Sequence, residues 1–292
     1  MDNSVKPINW YPGHMAKARR LLSDQIKKTD LVIELCDARL PHSSRNPEIE
    51  KLASGRKRLV LLNKSDLADP DLTYRWINHI RSTGQDVHAV DSKKLKAKEI
   101  ITLIQKSTED IVCKALERGI RKTVRVIVLG VPNVGKSTFI NQLRGKGIAK
   151  TGDRPGVTKN SQWIQISKYL ELLDTPGLLW PRLDDQKAAV KLCYIGTIKD
   201  DVVDLYMLAI SLLEDLKIFA PEAMKDRFHL DSIDDEGIEL LNAVCKGRGW
   251  LLKGNTYDYD RACKVILDEF RAGRLGRVTL EKPCGKQEAV ND

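Results

Sequence analysis

The 292-residue sequence lacks the features of zinc-binding, membrane-spanning and secreted proteins. None of its six cysteines forms a C-x-x-C pair, and no histidine stands beside a pair at zinc-ligand spacing, so we expect free thiols in a reducing compartment and no structural zinc. No apolar run approaches the ~20 residues that a membrane-crossing helix needs. The first residues resemble neither an apolar signal nor an arginine-rich transit peptide. We therefore expect a cytoplasmic protein that does not span a membrane.

The sequence as a whole is basic. There are 49 Lys and Arg against 40 Asp and Glu, a net charge of +9, and residues 246–286 carry ten basic against five acidic side chains. A basic surface lowers the cost of approaching polyphosphates, of which RNA is the most obvious. A solvated basic face without a partner remains the alternative.

Apolar runs alternate with helical patterns in the first part of the chain, which predicts a parallel sheet covered on both faces. The runs lie at 31–36, 58–62, 87–90, 124–129, 162–166 and 169–173. An amphipathic, basic helix is predicted at 14–29 and another helix at 99–116. After residue 184 the pattern becomes helical, with segments at 188–216, 235–246 and 259–272. We predict a sheet domain over 1–183, a helical RNA- or ribosome-binding domain over 184–284, and a disordered tail over 285–292.

A glycine-rich loop follows the run at 124–129 and opens a helix, which is the context of a phosphate-binding loop. It extends from Gly130 to Ser137 with Gly135 and Lys136 at the required spacing. Its backbone N–H groups would converge on phosphate oxygens, Lys136 would supply charge, and the Ser137 hydroxyl suits Mg²⁺. The positive end of the helix from Thr138 onward would add to the attraction. A glycine turn that binds nothing is the alternative.

Two further motifs predict a sensor of the γ phosphate. Asp174-Thr175-Pro176-Gly177 follows the run at 169–173, where Asp174 would reach Mg²⁺ through water and the Gly177 N–H would meet the phosphate. Thr158 is the candidate switch threonine that closes over Mg²⁺. A simple turn and a polar surface loop are the respective alternatives.

The tetrad Asn63-Lys64-Ser65-Asp66 follows the run at 58–62. The Asp66 carboxylate would accept from N1–H and from the 2-amino group of guanine, which adenine lacks, so the pattern predicts guanine specificity. The Lys64 stem would lie along the base. Ser92, after the run at 87–90, is a further candidate for contact with the base. Alone, the tetrad is equally compatible with a helix cap or a turn.

The base-reading tetrad precedes the phosphate loop, an order that resembles circularly permuted GTPases. The stretch from Trp10 to Ala18 and the stretch Asp37-Ala38-Arg39-Leu40-Pro41 narrow the resemblance to the ribosome biogenesis GTPase A family, which has mitochondrial relatives. The resemblance covers almost the whole chain and is most specific at the motifs. It implies an α/β fold, namely a circularly permuted, doubly wound P-loop GTPase sheet followed by a small all-α C-terminal domain.

The resemblance also implies an activity: slow GTP hydrolysis, stimulated by a ribosomal particle, in a monomer that binds a late precursor of the large ribosomal subunit and its rRNA. It implies K⁺ held by Asn133 beside the phosphates. Many GTPases carry a water-orienting glutamine after D-x-x-G, but this chain has Leu178. The resemblance points to His14 as the substitute, since a neutral imidazole orients or deprotonates water. A helix cap or an RNA contact is the alternative role for His14.

Three sets of site residues are thus expected. The catalytic candidates are His14, Lys136 and Thr158. The nucleotide-contacting candidates are Asn63, Lys64, Asp66, Ser92, Asn133, Val134, Gly135, Lys136, Ser137, Thr138 and Gly177. The metal-ligand candidates are Ser137, Thr158 and Asp174 for Mg²⁺, and Asn133 for K⁺. The main alternative function is a nucleotide-gated RNA-binding module on another particle, such as the small subunit. A P-loop metabolic kinase is disfavoured because Asn63 and Asp66 would then have no purpose.

Overall fold

The computed structural model describes residues 15–144, 162–174 and 185–283. The strands are β1 (Leu31–Asp37), β2 (Lys57–Asn63), β3 (Asp86–Val90), β4 (Val124–Leu129), β5 (Gln162–Ser167) and β6 (Leu170–Asp174). The helices of the first part are α1 (Met15–Lys27), α2 (Pro47–Leu52), α3 (Pro70–Ser82), α4 (Ala97–Glu117) and α5 (Lys136–Arg144). Residues 185–283, here called the helical region, contain α6 (Gln186–Tyr194), α7 (Leu205–Phe219), α8 (Pro221–Phe228), α9 (Gly237–Gly247) and α10 (Tyr259–Ala272).

The six strands form one sheet in the order β3-β2-β1-β4-β6-β5. Every neighbouring pair is parallel except β5 and β6, which pair antiparallel at one edge. The predicted α/β sheet is therefore confirmed, and each apolar run forms a strand. In a parallel sheet the carboxyl ends of the strands lie on the same side of the sheet, here called its carboxyl edge, and ligands bind there in such folds.

Alternating side chains of the central strands cover both faces of the sheet. On one face Leu31, Ile33 and Leu35 of β1 belong to the cluster that also includes residues of α4 and α5. On the other face Val32 packs with residues of α1 and α2, while Cys36 packs with residues of α3. The sheet is thus doubly wound, as expected.

Helix α1 lies against the second of these faces. Leu22 and Ile26 are buried there, which agrees with the amphipathic pattern of the sequence. Arg19 is exposed and forms an ion pair with Glu48 of α2, Nε to Oε2 2.8 Å. Within the described residues, no helix combines the length and apolarity needed to cross a bilayer.

The stretch at 188–216, predicted as one helical segment, contains a break. Helix α6 ends at Tyr194, and Gly196 adopts a left-handed φ of 69° that a helix interior does not accommodate. Helix α7 then starts at Leu205, where the Asp204 carboxylate accepts from two backbone N–H groups. Helix α7 is packed on most of its surface, so it forms the centre of the helical region. Helix α10 has the predicted bounds.

The helical region and the sheet share one continuous hydrophobic cluster. The chain leaves α10 and returns along the sheet as residues 278–281, here called the C-terminal strap. In the strap the Val278 N–H donates to Leu67 O at 3.0 Å, and the Leu280 N–H donates to Arg39 O at 2.9 Å. The strap therefore lies against the loops that follow β1 and β2. A domain boundary at residue 183 stays a prediction, since residues 175–184 lie outside the described ranges.

Candidate nucleotide site

Three loops meet at the carboxyl edge of the sheet. One follows β4 and spans residues 130–135, one follows β2 and contains the tetrad at 63–66, and the third follows β3 at 91–93. Strands β3, β2, β1 and β4 are consecutive in the sheet, so three loops far apart in sequence are neighbours in space. The site is therefore assembled by strand order.

The phosphate loop depends on close approach of its backbone. A β-carbon on Gly130 would collide with the Leu35 carbonyl, and one on Gly135 would collide with the Asn63 side-chain amide. Gly135 also has a left-handed φ of 98°. Only glycine meets both demands, which is the physical reason for glycine at these two positions.

Helix α5 begins at Lys136, so Ser137 and Thr138 occupy its first turn, and both are exposed. The Lys136 Nζ donates to the carbonyls of Gly130 at 2.8 Å and Val131 at 2.6 Å. Burial lowers the pKa of the Lys136 amine to about 8. A partly desolvated amine and a helix N-terminus at one place form a natural binding site for an anion.

The Asn63 side chain joins the three loops and is almost completely buried. Its Nδ2 donates to Val134 O of the phosphate loop at 2.7 Å. Its Oδ1 accepts from Ser92 N at 2.9 Å and from Ser92 Oγ at 2.7 Å. Ser92 is thus brought to the site as the sequence suggested, but its hydrogen bonds go to Asn63, and its side chain is buried. Asn63 fixes the relative positions of the loops.

Lys64 and Asp66 occupy the turn that follows Asn63. Lys64 has a left-handed φ of 60°, and its Nζ donates to Asn133 O at 2.6 Å and lies 3.0 Å from Asp37 Oδ2. Asp66 lies in a short 3₁₀ turn, Ser65–Leu67, and is half-buried. Within the described part of the chain its carboxylate has no polar partner, so it is available for a ligand.

Asn133 has a left-handed φ of 65°, and its side-chain amide donates to Gly196 O of the helical region. Beside it, Thr197 Oγ1 donates to Pro132 O at 3.2 Å. The turn after α6 therefore contacts the phosphate loop directly. With Nδ2 engaged in this way, the Asn133 Oδ1 is the amide atom that remains for a cation.

Four predicted residues are described little or not at all. Asp174 is the last residue of β6, and its side chain is outside the description. His14, Thr158 and Gly177 lie outside the described residues. Their roles stay predictions.

Two residues of the site were given no role from the sequence. Asp37 is the last residue of β1, completely buried, and Arg39 two residues later is also buried. Arg39 Nε and Nη2 donate to the two Asp37 carboxylate oxygens, both at 2.9 Å. The available signal was the position: an acidic residue at the carboxyl end of β1, the strand that lies between β2 and β4, which lead into the two main loops.

Comparison with known proteins identifies relatives for this arrangement. Residues 125–240 match the model of a family described as "50S ribosome-binding GTPase". The chain is 44% identical to ribosome biogenesis GTPase A of Bacillus cereus, over 98% of this chain and 97% of that one. It is 31% identical to the protein of the same name from Thermotoga maritima, over 94% and 95%.

Two solved structures share the fold. A GDP-bound YlqF aligns with a TM-score of 0.65 at 27% identity, covering 90% of this chain and 99% of that chain. The GNP-bound YlqF from T. maritima aligns with a TM-score of 0.66 at 26% identity, covering 91% and 98%.

Proposed function

Since the chain belongs to the ribosome biogenesis GTPase A family, we propose that it is a GTP-hydrolysing assembly factor for a late precursor of the large ribosomal subunit. The observation that carries the proposal is the convergence at Asn63, which joins the phosphate loop to the loop after β3. A simple turn or helix cap at 63–66 would have no reason to be built into the phosphate loop. The observation and the family membership support the same site.

Guanine recognition is assigned to the tetrad. The Asp66 carboxylate accepts from the N1–H and 2-amino group of guanine, while the Lys64 stem, fixed at Asn133 O, lies along the base. Adenine offers a lone pair at N1 and leaves the carboxylate unpaired, so it is rejected. The acceptor for these two donors of guanine is thus the Asp66 carboxylate, which has no polar partner among the described residues.

This assignment has a chemical test. Xanthine carries a carbonyl where guanine has its 2-amino group, so an amide in place of the carboxylate should favour xanthine. Asp66→Asn should lose affinity for GDP and gain affinity for XDP, as measured by competition against a fluorescent nucleotide. A variant that binds GDP as tightly as the wild type contradicts the role of Asp66.

Phosphate binding is assigned to the loop at 130–135, Lys136 and the N-terminus of α5. The candidate ligands suit Mg²⁺, since the exposed Ser137 hydroxyl lies in the first turn of α5 and Asp174 ends β6, the neighbour of β4. When bound, Mg²⁺ neutralises charge on the β and γ phosphates. Asn133 would hold K⁺ through Oδ1, which adds positive charge at the same place. A requirement for K⁺ over Na⁺ in turnover measurements tests this last assignment.

The switch and the attacking water are assigned from sequence and family resemblance. Thr158 and Gly177 would close on the γ phosphate, and His14 would orient the water in place of the missing glutamine. Replacing His14 with Ala should abolish particle-stimulated turnover while nucleotide binding persists. Unchanged stimulated turnover in that variant rules out the catalytic role.

The partner is inferred from charge and from the family. Six basic side chains of α9, α10 and their flanking loops are exposed, namely Lys246, Lys253, Arg261, Lys264, Arg274 and Arg277. Such a surface suits phosphate groups of rRNA, whose binding would weaken steeply with salt. Arg248 and Arg271, also counted in the basic segment, are instead held by internal ion pairs with Glu269 and Asp200.

Sedimentation of ribosomal particles with the protein tests the whole proposal. We expect a monomer that associates with large-subunit precursors in the presence of a non-hydrolysable GTP analogue and dissociates with GDP. Association with small-subunit particles would instead favour the alternative, a nucleotide-gated RNA-binding module. Equal retention in all nucleotide states would defeat the switch mechanism.

A further inference from the structure

The base-reading lysine is held by a carboxylate that water does not reach. Asp37 is completely buried at the end of β1, and its Oδ2 lies 3.0 Å from Lys64 Nζ. The same Lys64 Nζ donates to the phosphate loop at Asn133 O. The position of the lysine head group is therefore set by two contacts, one from the phosphate loop and one from Asp37.

Asp37 is in turn held by Arg39 through a two-pronged ion pair. Paired hydrogen bonds of this kind fix orientation as well as distance. Burial alone would raise the pKa of the Asp37 carboxyl, but Arg39 and Lys64 together hold it well below its usual range. Asp37 is thus a permanent anion between two cations, and any displacement of Arg39 leaves its charge incompletely compensated.

Arg39 reaches across to the helical region. Its Nη1 donates to Phe270 O at 2.7 Å, and its guanidinium lies 4.8 Å from the centre of the Phe270 ring. Phe270 is in the last turn of α10, where the carbonyl groups carry partial negative charge. Its carbonyl accepts from the capping Gly273 N–H at 3.1 Å as well as from Arg39. The guanidinium is 231 residues away from this carbonyl in sequence, so the contact exists only when α10 is docked.

A second contact places α10 against the same loop. Gly273, which ends α10, approaches Leu67 so closely that a β-carbon there would lie 2.5 Å from Leu67 Cδ2. Leu67 is the last residue of the turn that contains Asp66. The end of α10 thus lies directly against Leu67, at the end of the base-reading turn, and is connected to Lys64 through Arg39 and Asp37.

We propose that Asp37 and Arg39 are positioning residues through which the docking of α10 controls the retention of guanine nucleotide. When α10 is docked, Phe270 O and the Phe270 ring hold Arg39, Arg39 holds Asp37, and Asp37 holds Lys64 in line with the base. When α10 moves away, Lys64 loses its fixed partner and nucleotide leaves faster. The inference rests on the proposed guanine site and adds its control by the helical region.

The test is the rate of release of a fluorescent GDP, followed by stopped flow after mixing with excess unlabelled GDP. Arg39→Gln should speed the release of GDP about tenfold, which is the size of the interaction energy between residues of one charged network. The same substitution in a Lys64→Met background should have little further effect on the rate, because Arg39 acts on the nucleotide through Lys64. A purely structural role for Arg39 would instead give the same fold-change in both backgrounds.

Arg45→Gln is the matched control. Arg45 also pairs with a buried carboxylate of β1, Glu34, at 3.2 Å, but its partners Glu34 and Gln85 lie outside the nucleotide site and the helical region. The Arg45→Gln variant should release GDP at the wild-type rate, even if its thermal stability falls as much as that of the Arg39→Gln variant. Faster release in Arg45→Gln to the same degree would overturn the inference.

Arg39→Lys covers the case in which Arg39→Gln does not fold. It keeps the charge but loses the two-pronged pair, so release should speed up less, and again only when Lys64 is present. A wild-type protein without preference for GDP over ADP would overturn the proposed function and the inference together. Preference for GDP combined with unchanged release in Arg39→Gln and Arg39→Lys would overturn the inference alone.

Discussion

Asn63→Ala should damage both the stability of the nucleotide-free protein and its affinity for nucleotide. The substitution removes three hydrogen bonds of 2.7–2.9 Å and leaves two buried backbone groups, Val134 O and Ser92 N, without their partner. Each buried group left unpaired costs about 1–2 kcal/mol. The Ser92 hydroxyl can rotate toward another acceptor and contributes less. The free energy of unfolding should therefore fall by about 3 kcal/mol.

The effect on affinity follows from the same bonds. Asn63 fixes the phosphate loop relative to the loop after β3. Without it, both loops become ordered only when nucleotide binds, and this cost in entropy should lower the affinity for GDP by at least about tenfold. Calorimetric titration with GDP measures this change. Thermal unfolding of the nucleotide-free protein should show a midpoint lower by about 5 °C, the shift expected of a chain of this size.

Ser92→Ala is the control within the same contact. It removes only the hydroxyl and keeps the Ser92 N–H bond to Asn63, so the cost should be about 1 kcal/mol. Asn63→Ala must therefore exceed Ser92→Ala in both measurements. Equal effects of the two variants, or an Asn63→Ala protein as stable as the wild type, would refute the role of Asn63 as the connection between loops.

Three further results are expected. GDP binding at pH 8 should be accompanied by the uptake of roughly half a proton, because the Lys136 amine has a pKa of about 8 in the free protein and bound phosphates raise that pKa. Calorimetry in two buffers measures the proton uptake. The affinity for GDP should fall between pH 8 and 9. Glu281→Gln should lower the free energy of unfolding by about 2 kcal/mol, because the carboxylate accepts from three donors in the loop after β1; urea denaturation measures it. Gly273→Ala should cost more than Gly276→Ala, since both have left-handed φ values but only Gly273 meets a neighbour; the midpoints in urea compare them.

The elements of the sheet were predictable because their sequence signals are local. A strand buried on both faces appears as a continuous apolar run, and a loop that binds phosphate needs glycine where the backbone approaches another chain segment. The run at 124–129 is β4, and the glycines at 130 and 135 are the positions where a β-carbon would collide. The convergence of the loops also followed, since parallel neighbours end at one edge.

The helical region was less predictable. Apolar residues continue with helical spacing across 188–216, and this periodicity concealed the turn at Gly196. The turn exists because its backbone contacts the phosphate loop, where Asn133 and Thr197 form hydrogen bonds between the two parts. The local signals were Gly196 in the turn and the capping Asp204 before α7.

By itself the sequence determined the fold class and the order of the loops, and it predicted the chemistry of the base and phosphate contacts, because each depends on residue types at fixed short spacing. Only the tertiary structure decided which residues far apart in sequence contact the loops of the site. Asp37 and Arg39 are two residues apart in sequence, but Asp37 contacts Lys64 and Arg39 contacts Phe270. No local pattern marks a contact that spans 231 residues; it arises because the strap and α10 fold back on the loops after β1 and β2.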